Sequence, residues 1–88
     1  LDGFTAAVAA EVACDGVLVN AISPGFIDTE LTRNTVSPEQ LETLLADVPA
    51  GRLGQPEEIA AFVAWLVSPE NTYISGQNIA IDGGFTRV

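Results

Sequence analysis

One stretch constrains this chain more than any other: Val17-Leu-Val-Asn20-Ala-Ile-Ser-Pro24-Gly25-Phe-Ile27-Asp-Thr29. It starts as an apolar, β-prone run and breaks at a Pro-Gly turn, with Thr29 following in the loop. Val17 to Ile22 is near-continuous in its hydrophobicity, interrupted only by Asn20. Continuous rather than alternating apolar character predicts a strand buried on both faces, as in a parallel sheet. In open α/β sheets such strands deliver their carboxyl ends into ligand-binding loops. The loop has almost no proton-transfer chemistry to draw on. The chain contains no His and no Lys, and its single Tyr lies near the far end.

The flanking elements follow from spacing and caps. Leu1 to Cys14 reads as an Ala-rich helix with Leu1, Phe4, Val8 and Val12 on one stripe. No N-cap precedes Leu1, as if the helix started in mid-run, and Asp15-Gly16 closes it. Phe26 to Val36 is a loop or short helical segment. Ser37-Pro38-Glu39-Gln40 predicts a helix start, with Ser37 as cap, Pro38 at the first position and Gln40 completing a capping box. That helix carries Leu41, Leu44 and Leu45 and ends near Val48-Pro49. Ala50 to Gly54 is a turn. Gln55-Pro56-Glu57-Glu58 opens the clearest helix, whose Ile59, Phe62, Val63, Leu66 and Val67 form one apolar face. Asn71 to Gly76 is a loop, and Gln77 to Ile81 is a second strand closed by Asp82-Gly83-Gly84. Helix, strand, helical excursion, helix, strand contains a βαβ unit, which implies a parallel pair. Two strands alone make an unstable sheet.

Composition narrows the function classes. Hydrophobic residues make up 48% of 88 positions, a high load for so short a chain. Small domains bury a lower fraction of their surface than large ones, so part of this apolar sequence is expected to pack against further polypeptide or another copy. Twelve acidic residues against three basic give a net charge of −9. Such a surface repels phosphate backbones and anionic lipid, which argues against nucleic-acid and membrane partners. Cys14 has no internal partner and, in an Ala/Val-rich helical run, is expected to be a buried, inert thiol. With no signal-peptide pattern and no apolar run of membrane-spanning length, the cytoplasm is the default location.

Each candidate group has a plain structural reading beside the functional one. Pro24-Gly25 is either a turn or a wall that lets backbone approach a ligand. The Thr29 hydroxyl could bond an amide or a phosphate, or cap the next turn. Asp28 and Glu30 read as solvated loop acids with no third metal ligand nearby. Arg52 is better placed for an ion pair with a neighbouring acid than for an anion site. Tyr73 lacks a Lys or His to tune it and reads as packing. Trp65, at the border of the apolar face, reads as core or interface. No catalytic residue and no metal ligand set is expected within these 88 residues.

Taken in order, Leu1-x-x-Phe4, Val19-Asn20-Ala21, Pro24-Gly25-Phe26-Ile27-x-Thr29, Gly51-Arg52-Leu53-Gly54-Gln55-Pro56-Glu57-Glu58-Ile59-Ala60, Tyr73-Ile74-Ser75-Gly76-Gln77 and Asp82-Gly83-Gly84 resemble the C-terminal part of a short-chain dehydrogenase/reductase. The likeness covers the whole chain and leans toward the 3-oxoacyl-[acyl-carrier-protein] reductases, although Leu18 departs from the polar residue often found there. The resemblance implies an α/β fold, the C-terminal part of a Rossmann-type doubly wound parallel sheet. Residues 1–88 would then be one segment of a single domain, with the Gly-rich phosphate loop and the catalytic Ser and Tyr-x-x-x-Lys lying upstream. It further implies an NAD(P) coenzyme, NADP slightly favoured, whose nicotinamide half meets Pro24, Gly25, Ile27 and Thr29. The Ile27 backbone would face the carboxamide, and the Thr29 side chain the carboxamide or a phosphate. Leu31 to Pro49 would be a mobile region over a carbonyl substrate, small or an acyl thioester. The last helix and Gln77–Ile81 would form part of a homo-oligomer surface. The alternative is a truncated, non-catalytic product acting as an oligomerisation or interaction module.

Overall fold

Most helices of this chain begin where the sequence supplies a cap. A computed structural model describes residues 2–87; the expected helix start at Leu1 lies outside them. Helix α1 (Asp2–Val12) runs into a single 3-10 turn, Ala13–Asp15, closed by the Gly16 N–H on the Ala13 carbonyl. Helix α2 (Glu30–Thr35) starts at Thr29, whose hydroxyl accepts from the Thr32 N–H. Helix α3 (Pro38–Ala46) carries the predicted box: Gln40 N–H donates to Ser37 Oγ at 3.2 Å and Ser37 N–H to Gln40 Oε1 at 2.8 Å. Helix α4 (Pro56–Leu66) opens on Pro56, with the Glu58 carboxylate accepting the Gln55 N–H at 2.9 Å. Each such terminus satisfies N–H groups that the helix itself leaves unpaired.

Strands β1 (Ala21–Pro24) and β2 (Asn78–Ile81) pair in parallel, Ala21 opposite Asn78 and Pro24 opposite Ile81. The parallel α/β arrangement expected from the βαβ pattern is therefore present.

Several expectations need correction. The ladder starts at Ala21 rather than Val17, because Val19 bonds a loop instead of a strand. Its N–H reaches Ser75 Oγ at 3.0 Å and its carbonyl accepts the Gly76 N–H at 2.7 Å. The run is not buried on both faces: Val17 and Leu18 are 47% and 36% exposed, since β1 has β2 as its one ladder partner. In α1 the buried positions are Thr5 and Ala9, while Phe4 is exposed. Cys14 is exposed in the 3-10 turn, not buried. Val67 lies past the end of α4 as its cap and leaves the apolar face, 77% exposed. Tyr73 is 97% exposed and packs on nothing among the described residues. Trp65 is partly exposed and stacks on Phe62, ring centres 6.4 Å apart.

These departures share a cause. The radius of gyration is 15.7 Å, against about 12 Å for a compact domain of this length. The accessible surface is 6187 Å², against roughly 4,900 Å² for a compact monomer of this mass. The chain is longer and more open than a self-contained core allows, and no large side chain among the described residues is fully buried.

Candidate coenzyme loop at the carboxyl ends of the strands

A parallel pair brings the carboxyl ends of both strands to the same edge, so the segments after Pro24 and Ile81 lie side by side. Gly25 N–H donates to the Ile81 carbonyl at 2.9 Å. A Cβ on Gly25 would sit 2.7 Å from Asp82 Cβ and 2.8 Å from Asp82 Cα. Backbone on both sides cannot give way, so only glycine fits this crossing. The Phe26 ring meets Phe85 edge-on, centres 5.2 Å apart at 76°. The Asp82 carboxylate turns the chain there by accepting the Gly84 and Thr86 N–H groups at 3.0 and 3.1 Å. Thr86, foremost through its side chain, and the Gly84 amide hold that carboxyl below its ordinary range.

One residue on, Ile27 forms an isolated parallel bridge to Gly54. Gly54 N–H donates to Phe26 O at 2.9 Å and Gly54 O accepts Asp28 N–H at 2.7 Å. Those bonds flank Ile27, so its own amide faces away from Gly54. The Ile27 carbonyl is occupied by Thr29 N–H at 2.9 Å and by the Thr32 hydroxyl at 2.8 Å. Its N–H has no acceptor among the described residues.

The Thr29 hydroxyl can be accounted for atom by atom. It accepts the Thr32 N–H at 3.2 Å. It also lies 3.1 Å from Thr32 Oγ1. Thr32 commits its only hydroxyl proton to Ile27, so Thr29 must be the donor in that pair. A hydroxyl has one proton and two lone pairs; one lone pair of Thr29 stays free. The capping role read from the sequence is real, and it leaves an acceptor rather than a donor available.

The turn that holds Gly54 is itself tied to α4. Arg52 Nη1 and Nη2 reach Glu58 Oε1 and Oε2 at 2.8 and 3.0 Å, and Nη1 also reaches Leu53 O at 3.0 Å. Hydrogen bonding from Arg52, then from the Gln55 amide, lowers the Glu58 carboxyl to about 2. The same pair raises the Arg52 guanidinium above its ordinary value. The ion-pair reading of Arg52 is thus the observed one. Asp28 pairs with Arg33 at 3.5 Å.

The four sequence-predicted site residues, Pro24, Gly25, Ile27 and Thr29, fall on one continuous segment at this edge. Reading the sequence missed Gly54, Thr32 and Asp82 as its supports. The Gly-Arg-Leu-Gly turn was the available signal for Gly54. A cavity of about 80 Å³ lies among Phe26, Val48, Gly54 and Ile59. It has room for water and not for a coenzyme, so a ligand would approach the open side of the loop.

The profile of a family described as enoyl-(acyl carrier protein) reductase matches residues 1–86. The chain is 52% identical over 86 residues to the 3-oxoacyl-[acyl-carrier-protein] reductase of Vibrio cholerae serotype O1, covering 98% of the chain and 35% of that protein. It is 44% identical over 84 residues to the acetoacetyl-CoA reductase of Cupriavidus necator, covering 96% and 34%. The crystal structure of the TT0495 protein from Thermus thermophilus superposes with a TM-score of 0.88 at 42% identity, over 99% of this chain and 37% of that one. The chain therefore spans about 35% of the length of the curated relatives it matches. A family match over nearly every residue and a Rossmann-type α/β arrangement with a close solved counterpart agree: this chain belongs to the short-chain dehydrogenase/reductase family.

Proposed function

We propose that residues 1–88 are the C-terminal segment of an NAD(P)-dependent reductase, and that residues 24–29 receive the nicotinamide end of its coenzyme. The observation that carries this is a complementary pair: a free N–H on Ile27 and a free lone pair on Thr29 Oγ1, two residues apart. A primary carboxamide offers the matching acceptor and donor. Pro24 and Gly25 bring bare backbone to the same edge. A nicotinamide coenzyme held there would supply hydride to a substrate carbonyl carbon, or take it from the corresponding alcohol carbon in the reverse direction. The chain's own residues hold and orient the carboxamide; with no His or Lys here, proton transfer falls to residues upstream.

The substrate class is a 3-oxoacyl-thioester-like carbonyl compound, supported by relatives named for 3-oxoacyl-carrier and acetoacetyl-CoA reduction. NADP is slightly favoured on the family likeness. The segment from Leu31 to Pro49, holding the separately capped α2 and α3, acts as the lid over that substrate. The surface around α4 and β2 packs against another copy in a homo-oligomer, and the cytoplasm is its setting. No helix among the described residues is long and apolar enough to cross a membrane.

The test is coenzyme affinity in the complete polypeptide that carries this segment. Thr29→Val removes the acceptor and should weaken NAD(P)H binding about tenfold, the scale of one lost hydrogen bond. Thr29→Ser keeps cap and acceptor and should bind as the parent does. Equal binding by Thr29→Val would reject the carboxamide assignment. The 88 residues alone should consume no NADPH, and steady consumption would overturn the placement of the catalytic groups upstream.

A further inference from the structure

We infer that the Arg52–Glu58 pair is a positioning device for the coenzyme loop, acting on Ile27 through Gly54. The inference rests on the reading of residues 24–29 proposed above. Both side chains are about half exposed, 58% and 46%. An ion pair so open to solvent contributes little to global stability. Yet this one is built with unusual completeness for its exposure. Nη1 bonds Oε1 and Nη2 bonds Oε2, a fork-to-fork arrangement that fixes direction as well as distance. Nη1 also reaches back to Leu53 O, and Glu58 Oε1 also takes Gln55 N–H.

The bonds therefore close a ring around the residues on either side of Gly54. Gly54 then makes the two bonds that flank Ile27, at 2.9 Å to Phe26 O and 2.7 Å from Asp28 N–H. Its contact with Ile27 is close enough that a Cβ there would come within 2.9 Å of Ile27 Cδ1. The coupling runs from fork to turn, from turn to Gly54, and from Gly54 to the Ile27 amide, which has no acceptor among the described residues. Neither Arg52 nor Glu58 meets the coenzyme. Their effect is on where the Ile27 N–H points, and small displacements of a ligand-orienting group are costly.

The experiment uses the complete polypeptide with two probes, NAD(P)H and the matching ADP-ribose that lacks nicotinamide. It adds amide exchange of the coenzyme-free protein. Arg52→Ala should bind NAD(P)H about tenfold more weakly and ADP-ribose within about twofold of the parent. Arg52→Lys should behave like Arg52→Ala, because a single ammonium cannot hold both oxygens and Leu53 O. The Asp28 amide should exchange about tenfold faster in both variants, while the Ala21 amide, bonded to Gln77 O at the far end of β1, keeps the parent rate. Parent-like NAD(P)H affinity with parent-like Asp28 exchange overturns the inference. So does equal weakening of both probes with faster Ala21 exchange, which signals general loosening. If the parent itself fails to distinguish the two probes, the coenzyme assignment falls. The exchange rate at Asp28 then still judges the brace, supporting it if raised and rejecting it if not.

Discussion

The two ends of the β1–β2 pair are both closed by loops rich in polar groups, and they differ in what those groups have left over. At the amino end, the Asn71 side chain uses everything it has. Its amide donates to Leu66 O and Ile74 O at 3.0 and 3.2 Å, and its oxygen accepts from Tyr73 and Ile74 N–H at 3.2 and 2.9 Å. Asn20 ties across the sheet with one bond of each kind, donating to Ile74 O at 2.9 Å and accepting Gln77 N–H at 3.0 Å. At the carboxyl end the network is as dense, but several groups remain unused, among them the Ile27 N–H and one Thr29 lone pair. A saturated side chain such as Asn71 holds the fold together; a segment with a matched donor and acceptor to spare, two residues apart, is one that can take a ligand.

The contrast can be broken by mutation. The largest effect is expected from Asn71→Ala. It strips a buried side chain from four backbone groups and should cost about 3 kcal/mol of unfolding free energy, read as a lower urea midpoint of the complete polypeptide. Below that midpoint it should bind NAD(P)H as the parent does. Gly25→Ala comes next: the new methyl meets Asp82 backbone and should cost about 2 kcal/mol. Unlike the first variant it should weaken coenzyme binding in the folded protein. If Asn71→Ala weakened binding and Gly25→Ala did not, the roles assigned to the two ends would be reversed.

A smaller effect follows from acid. Glu58 titrates at about 2 in the fold against an ordinary 4.5. A lowered folded value means that the pair stabilises the turn fully above about 4.5. That contribution is lost as the pH falls through about 2. Carbon-detected titration should place the Glu58 carboxyl near 2 in the parent and return it toward 4.5 in Arg52→Ala. An unshifted carboxyl in the parent would remove the fork.

How much of this was legible in advance depended on whether the cause was local. The Ser37–Gln40 box, the Pro-led start of α4 and the stop at Pro24-Gly25 are set by neighbouring residues, and each stands where the sequence put it. The Arg52 pairing was also readable, since a suitable acid lies one turn away on α4. What escaped were relations between distant segments. Asn20 looked like an interruption of an apolar run and proved to be the tie between β1 and the 74–77 loop. Gly54 looked like part of a turn and proved to be the partner of Ile27. The misreadings of burial at Phe4, Cys14, Val17 and Tyr73 have the opposite origin: periodicity reports which side chains need cover, not whether these 88 residues supply it.

The most direct measurement is the exchange rate of the Ile27 amide in the complete polypeptide before and after saturation with NAD(P)H. The account predicts that Ile27, without an acceptor in the free protein, slows at least about tenfold on binding. Asp28, already bonded to Gly54 O, should change little. An Ile27 amide that exchanges at the same rate with and without bound coenzyme would contradict it.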